Sequence, residues 1–136
     1  METIGPNVFR FEYCYLLKSG RANWTPWNTD SQYGPVYGTF NGLADVEAIG
    51  VTIALIDPQN RALLVQGDPD ENKILALQTA MLDFKTAPGR GVGGNKNVTD
   101  CEVQWNDVIA NPPGNTPRAA LSAIRVYSRT FDLKTL

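Results

Sequence analysis

The run Val46-Glu47-Ala48-Ile49-Gly50-Val51-Thr52-Ile53-Ala54-Leu55-Ile56-Asp57 alternates two kinds of side chain. In an extended chain Ile49, Val51, Ile53 and Leu55 fall on one face, and Ala48, Gly50, Thr52 and Ala54 on the other. No charge interrupts either face from Ala48 to Ile56. A strand uncharged on both sides belongs in the middle of a sheet, so Val46 to Asp57 is expected there. Upstream, Val8 to Leu17 has the same period: Phe9, Phe11, Tyr13 and Tyr15 alternate with Arg10, Glu12 and Cys14. Its aromatic enrichment predicts a half-buried strand with Cys14 opposite the rings. Lys18-Ser19-Gly20-Arg21 reads as the turn that follows.

Downstream, Asp57-Pro58-Gln59-Asn60 carries β-turn chemistry, which predicts a hairpin with Arg61 to Val65 as its second arm. Asp68, Pro69 and Glu71 are spaced as an N-cap, a first helical residue and a capping-box acid. Ile74, Leu75, Leu77, Met81 and Phe84 then form a helical stripe, with the helix expected to end near Lys85. Thr86 to Thr99 is glycine-rich with few apolar side chains and reads as a mobile loop. Trp105 to Ala110 reads as a short helix with Trp105, Val108 and Ile109 inward. Pro117 to Leu121 adds a helical turn, and Ser122 to Leu133 is the last strand, with Ile124, Val126, Tyr127 and Phe131. The order predicts one α+β domain over residues 1–136: a mostly antiparallel β-sheet with one main helix packed on a face.

Composition removes several functions. With 136 residues, 43% apolar, the chain is long enough for one core. Twelve basic against 14 acidic residues give a net charge of -2, which offers no field for a phosphate backbone, so no nucleic-acid partner is expected. There is no histidine, which removes Ser-His-Asp and Cys-His catalysis, and two cysteines are too few for an all-thiolate zinc site. No metal and no cofactor is expected. Ile49 to Ile56 is too short to span a bilayer.

Several patterns compete with plainer readings. Gly89-Arg90-Gly91-Val92-Gly93-Gly94 fits G-x-G-x-x-G, but the expected helix lies before it rather than after it. Asp68, Asp70 and Asn72 stand at the first ligand spacings of an EF-hand loop, yet Lys73 and Thr79 occupy the positions that need Gly and Glu. Glu12, Asp45, Glu47, Asp57 and Asp107 are candidate acids for a two-carboxylate hydrolase, a pairing that depends on separation in space. Asn23-Trp24-Thr25 and Asn97-Val98-Thr99 are glycosylation sequons. Cys14 and Cys101 pair if the protein is exported and stay as thiols otherwise. Asn23 to Gly42 is a long polar-aromatic loop, with one short strand near Val36 to Phe40. Its Trp24, Trp27, Tyr33 and Tyr37 either stack on a ligand or bury themselves over the sheet.

Three segments together carry a family resemblance. Phe9-Arg10-Phe11-Glu12-Tyr13-Cys14-Tyr15, the loop with Trp24 and Trp27, and the strand Val46 to Asp57 are similar to the soluble part of minor pseudopilins of the J kind and related minor type IV pilins. Ile56-Asp57-Pro58-Gln59-Asn60-Arg61-Ala62-Leu63-Leu64 and Ala123 to Phe131 resemble the same group. The likeness covers about half the chain in short patches. It implies a pilin-like globular head and a non-enzymatic structural role in a type IV pilus or type II secretion pseudopilus. The partners would be other pilin or pseudopilin subunits, and the location periplasmic or extracellular, anchored in the inner membrane before assembly. The family's N-terminal leader and spanning helix have no counterpart in Met1-Glu2-Thr3-Ile4-Gly5-Pro6. The resemblance therefore implies that Met1 follows removal of that helix, the only membrane attachment expected. Partner contacts would sit on the loops Asn23 to Gly42 and Thr86 to Thr99. The alternative is an extracellular carbohydrate- or peptide-binding module that uses the aromatic loop.

Overall fold

A computed structural model describes residues 7–18, 20, 22–24, 46–68, 70–91, 93, 96–114 and 116–133. Strand β1 (Val8–Leu17), β2 (Ala22–Asn23), β3 (Val46–Leu55) and β4 (Arg125–Asp132) form a four-stranded antiparallel sheet in the order β2-β1-β3-β4. β3, uncharged from Ala48 onward, takes the interior place its sequence demands. β4 joins β3 across everything between Leu55 and Arg125, and this excursion holds four helices: α1 (Pro58–Val65), α2 (Asn72–Ala80), α3 (Asp100–Ala110) and α4 (Arg118–Leu121). The class is α+β as expected. In place of one main helix the described residues form four, of which α3 with 11 residues is the longest.

Two local expectations fail for identifiable reasons. Arg61 to Val65 is not a hairpin arm; it belongs to α1. The Asp57 carboxylate accepts from the Asn60 amide at 2.9 Å and Pro58 opens the first turn. Asp followed by Pro starts a type I turn and a helix alike, and here the turn propagates. The second helix begins at Asn72 and stops at Ala80, short of Lys85. Asp68 still serves its start, accepting from the Lys73 amide at 2.8 Å. Its end is set from a distance. Gln104 donates to the Ala80 carbonyl and accepts from the Leu82 amide, both at 2.8 Å, and Trp105 Nε1 donates to the Leu82 carbonyl at 2.8 Å. These side chains of α3 satisfy backbone groups that a longer helix would have paired within itself.

The core lies between the helices and one face of the sheet. Trp105, Leu64, Leu77, Phe84, Met81 and Ile74 are buried there with Phe9, Cys14, Ala54 and Cys101. Phe9 reaches it because the β1–β3 register shifts between Val8 and Arg10, which takes this ring off the face carrying Phe11, Tyr13 and Tyr15. The Arg10 guanidinium stacks 5.2 Å from the Trp105 ring, and Gln78 ties α2 to the Phe9 carbonyl at 2.8 Å.

The stretch before α3 is held in place. The buried Asp100 carboxylate accepts from the Arg90 amide at 3.2 Å and the Asn97 amide at 2.9 Å. Lys96 donates to the carbonyls of Phe84 and Ala87. The loop expected to be mobile is thus pinned at both ends. Among the described residues no helix is long and apolar enough to cross a membrane.

Candidate docking surface

The helices cover the face with the small side chains. Ala48, Gly50, Thr52 and Ala54 are buried beneath them, whereas Ile49, Val51, Ile53 and Leu55 are half-exposed on the other side. Gly50 shows how closely the layers approach: a Cβ there would lie 2.9 Å from Cys14 Sγ and 3.2 Å from Val98 Cβ. Thr52 meets Ser128 at 2.9 Å across β3 and β4 on this covered side.

On the open side the register aligns three rows. Phe11, Ile53 and Tyr127 lie abreast; so do Tyr13, Val51 and Arg129; so do Tyr15, Ile49 and Phe131. Residues opposite one another in an antiparallel ladder share a face, so this is one continuous grid with aliphatic side chains down the middle and aromatic rings on both flanks. Tyr13, Tyr127 and Phe131 keep 48%, 53% and 40% of their surface exposed. The Phe11 and Tyr13 rings lie 6.3 Å apart, Tyr13 and Tyr15 meet edge to face at 5.9 Å, and Arg129 stacks 5.1 Å from Phe131. Burial, with Tyr13 alongside, raises the Tyr15 phenol above its ordinary pKa. Contiguous large apolar groups on an open sheet mark an interaction surface, because solvation of such a patch is unfavourable. Aromatic rings and arginine are also the side chains enriched at the centres of protein interfaces.

Of the residues singled out from the sequence, those described lie outside these three rows. Trp24 packs half-buried against the core, with Lys85 Nζ 5.9 Å from its ring. Trp27, Tyr33, Tyr37 and the strand expected near Val36 to Phe40 lie outside the described residues. Cys14 and Cys101 are both buried, unbridged thiols, and burial pushes each up to about 12. Thiols so disfavoured as thiolates are poor nucleophiles. Asn23 is wholly buried, so its sequon is closed in the folded protein, while Asn97 is exposed.

The candidate acids are dispersed. Asp57 caps α1, and its hydrogen bonds with Asn60 lower its pKa. Asp107 pairs with Arg90 at 3.0 Å, and Glu12 with Arg10 at 3.3 Å. Glu47 lies half-exposed in β3, and Asp45 is outside the described residues. Asp68, of the EF-hand-like spacing, is engaged at α2, and no group of three or more metal-ligating side chains occurs among the described residues. The glycine pattern Gly89–Gly94 follows α2 with no described strand before it, so the strand-turn-helix setting of a phosphate loop is not formed by the described residues. Beside α4, a shallow cleft of about 290 Å³ between Ile109, Pro112 and Leu121 is also lined by Arg118.

Sequence reasoning placed partner contacts on loops and missed the open sheet face. One signal was present: every inner position of β3 from Ala48 to Ala54 is small, as close packing under a helical layer requires. No family model, curated protein or solved structure matches this chain.

Proposed function

We propose that this protein is a non-enzymatic docking domain that works by burying the open face of its sheet against another protein. The observation that carries the reading is the grid of Phe11, Tyr13, Tyr15, Ile49, Val51, Ile53, Tyr127, Arg129 and Phe131 on the side that the helices leave uncovered. The pilin and pseudopilin resemblance supplies the finer form of the proposal. In that form the domain is a minor structural subunit of a type IV pilus or type II secretion pseudopilus. It acts outside the inner membrane, and its partners are sister subunits of the filament.

A photo-crosslinking residue at Tyr13, compared with one at the exposed Leu75 on α2, tests this in cells that make the protein. We expect a discrete adduct with a filament subunit from position 13, none from position 75, and loss of the adduct on Val51→Arg. No adduct at position 13, or one that Val51→Arg leaves intact, overturns the docking reading. A discrete, Val51-dependent adduct with a protein of another class keeps the docking role and overturns the filament role.

A further inference from the structure

Among the described residues the sheet has a second feature that no strand covers, its β4 edge. β4 runs for eight residues, Arg125–Asp132, against β3 on one side, with no described strand on the other. Six of those eight positions are exposed and the other two half-buried. The opposite edge, β2, has only two residues and templates little. Natural edges are usually blunted by proline, by charged side chains, lysine above all, or by a bulge. β4 contains no proline and no lysine, its charged residues are Arg125, Arg129 and Asp132, and its pairing with β3 runs without a register shift.

We infer that β4 pairs antiparallel with β4 of a second copy of this chain about a two-fold axis through Ser128, which joins the two sheets into one. The inference goes beyond the docking reading and does not depend on it. Geometry restricts the register. A two-fold axis perpendicular to the sheet keeps both open faces on one side, so open-face residues must oppose open-face residues. On β4 these are Arg125, Tyr127, Arg129 and Phe131. Axes through Ser128 and through Arg129 are the two that pair all but one of the strand's eight residues. An axis through Arg129 sets two guanidiniums directly opposite each other, and one through Tyr127 opposes Arg125 and Arg129; like charges so placed repel. The axis through Ser128 sets Tyr127 opposite Arg129 of the partner subunit, and Arg125 opposite Phe131 of the partner subunit. Every arginine then faces an aromatic ring, the contact Arg129 already makes with Phe131 inside one chain at 5.1 Å. Within its own chain Arg125 also donates to the Ser122 carbonyl at 2.5 Å. The strand is self-complementary in this register, which is why the occupant is a second copy.

Sedimentation of the whole chain from micromolar to millimolar concentration tests the inference, with Tyr127→Arg and Tyr127→Glu as paired variants and circular dichroism as the folding control. Tyr127 is more than half exposed, so both variants are expected to fold. Self-association is expected in the unaltered chain. Tyr127→Arg, which would face Arg129 of the partner subunit, should weaken it, and Tyr127→Glu should strengthen it, each by about three- to tenfold. Tyr13→Arg, on β1 and two strands away from β4, should leave it unchanged. A monomer throughout, or both Tyr127 variants moving the same way, overturns the inference. Loss of self-association on Tyr13→Arg also overturns it, because copies would then be meeting through the open face. Failure of the position-13 crosslink with the self-association intact would overturn the docking reading alone.

Discussion

Gly50→Ala tests the close packing that decides which side of the sheet is covered. The new methyl would meet Cys14 Sγ at 2.9 Å and Val98 Cβ and Cγ1 at 3.2 Å. Neither neighbour yields easily. Cys14 is 2% exposed on the interior strand β1, and Val98 is branched at Cβ and packs against the core. Overpacking of this kind costs about 1–3 kcal/mol. Replacing glycine returns about 0.4–1 kcal/mol through the unfolded chain. The net expectation is a loss of about 1–2 kcal/mol, or a fall in Tm of about 3–8 °C for a chain of this length. Urea titration should show a lower midpoint at unchanged slope. In a double-mutant cycle with Cys14→Ala, part of the loss should be recovered, with a coupling of at least about 0.5 kcal/mol. A Gly50→Ala protein as stable as the parent would refute the reasoning. So would the full penalty persisting in both Cys14→Ala and Val98→Ala backgrounds.

Two further outcomes follow from buried groups. Asp100→Ala removes the acceptor of the Arg90 and Asn97 amides and should destabilise the protein by about 2–4 kcal/mol, with faster hydrogen exchange at both amides; unchanged exchange there would contradict the pinning role. The thiols of Cys14 and Cys101, raised by burial from an ordinary value near 9 to about 12, should resist alkylation in the native protein at pH 8 and react once it is unfolded. Because the folded values are the higher ones, their contribution to stability is complete below pH 9 and is lost as the pH rises from about 9 to 12. Cys14→Ala should therefore flatten the alkaline limb of a stability-pH curve, and equal limbs in the two proteins would count against it.

The sequence was legible where one periodicity dominates. β1, β3, β4 and the Trp105 helix follow from alternation or helical spacing, and the absence of charge on both sides of β3 from Ala48 onward located it inside the sheet. It was less legible where one chemistry serves two structures, as at Asp57-Pro58, where turn and helix begin alike. It was illegible where a distant side chain decides, as when Gln104 and Trp105 take the backbone groups at Ala80 and Leu82 and so end α2. The open face was missed for a related reason. Alternation divides β3 into a large row and a small row, but only the helical layer determines which is covered, and it covers the small one. At Phe9 a register shift moved one aromatic ring of an apparently regular series into the core.

The pairing of β3 with β4 also constrains how the chain acquires its structure. All four described helices lie between these neighbouring strands, so β4 is made after them during synthesis. Until it arrives, one side of β3 has no strand to bond, although β1 and β3 are already available to each other. Closing so long an intervening segment is slow compared with local helix formation, and an unpaired interior strand is vulnerable to intermolecular association meanwhile. Until β4 has emerged, a nascent chain would therefore hold its central strand unsealed on one side, and chaperone dependence should be greatest in that interval.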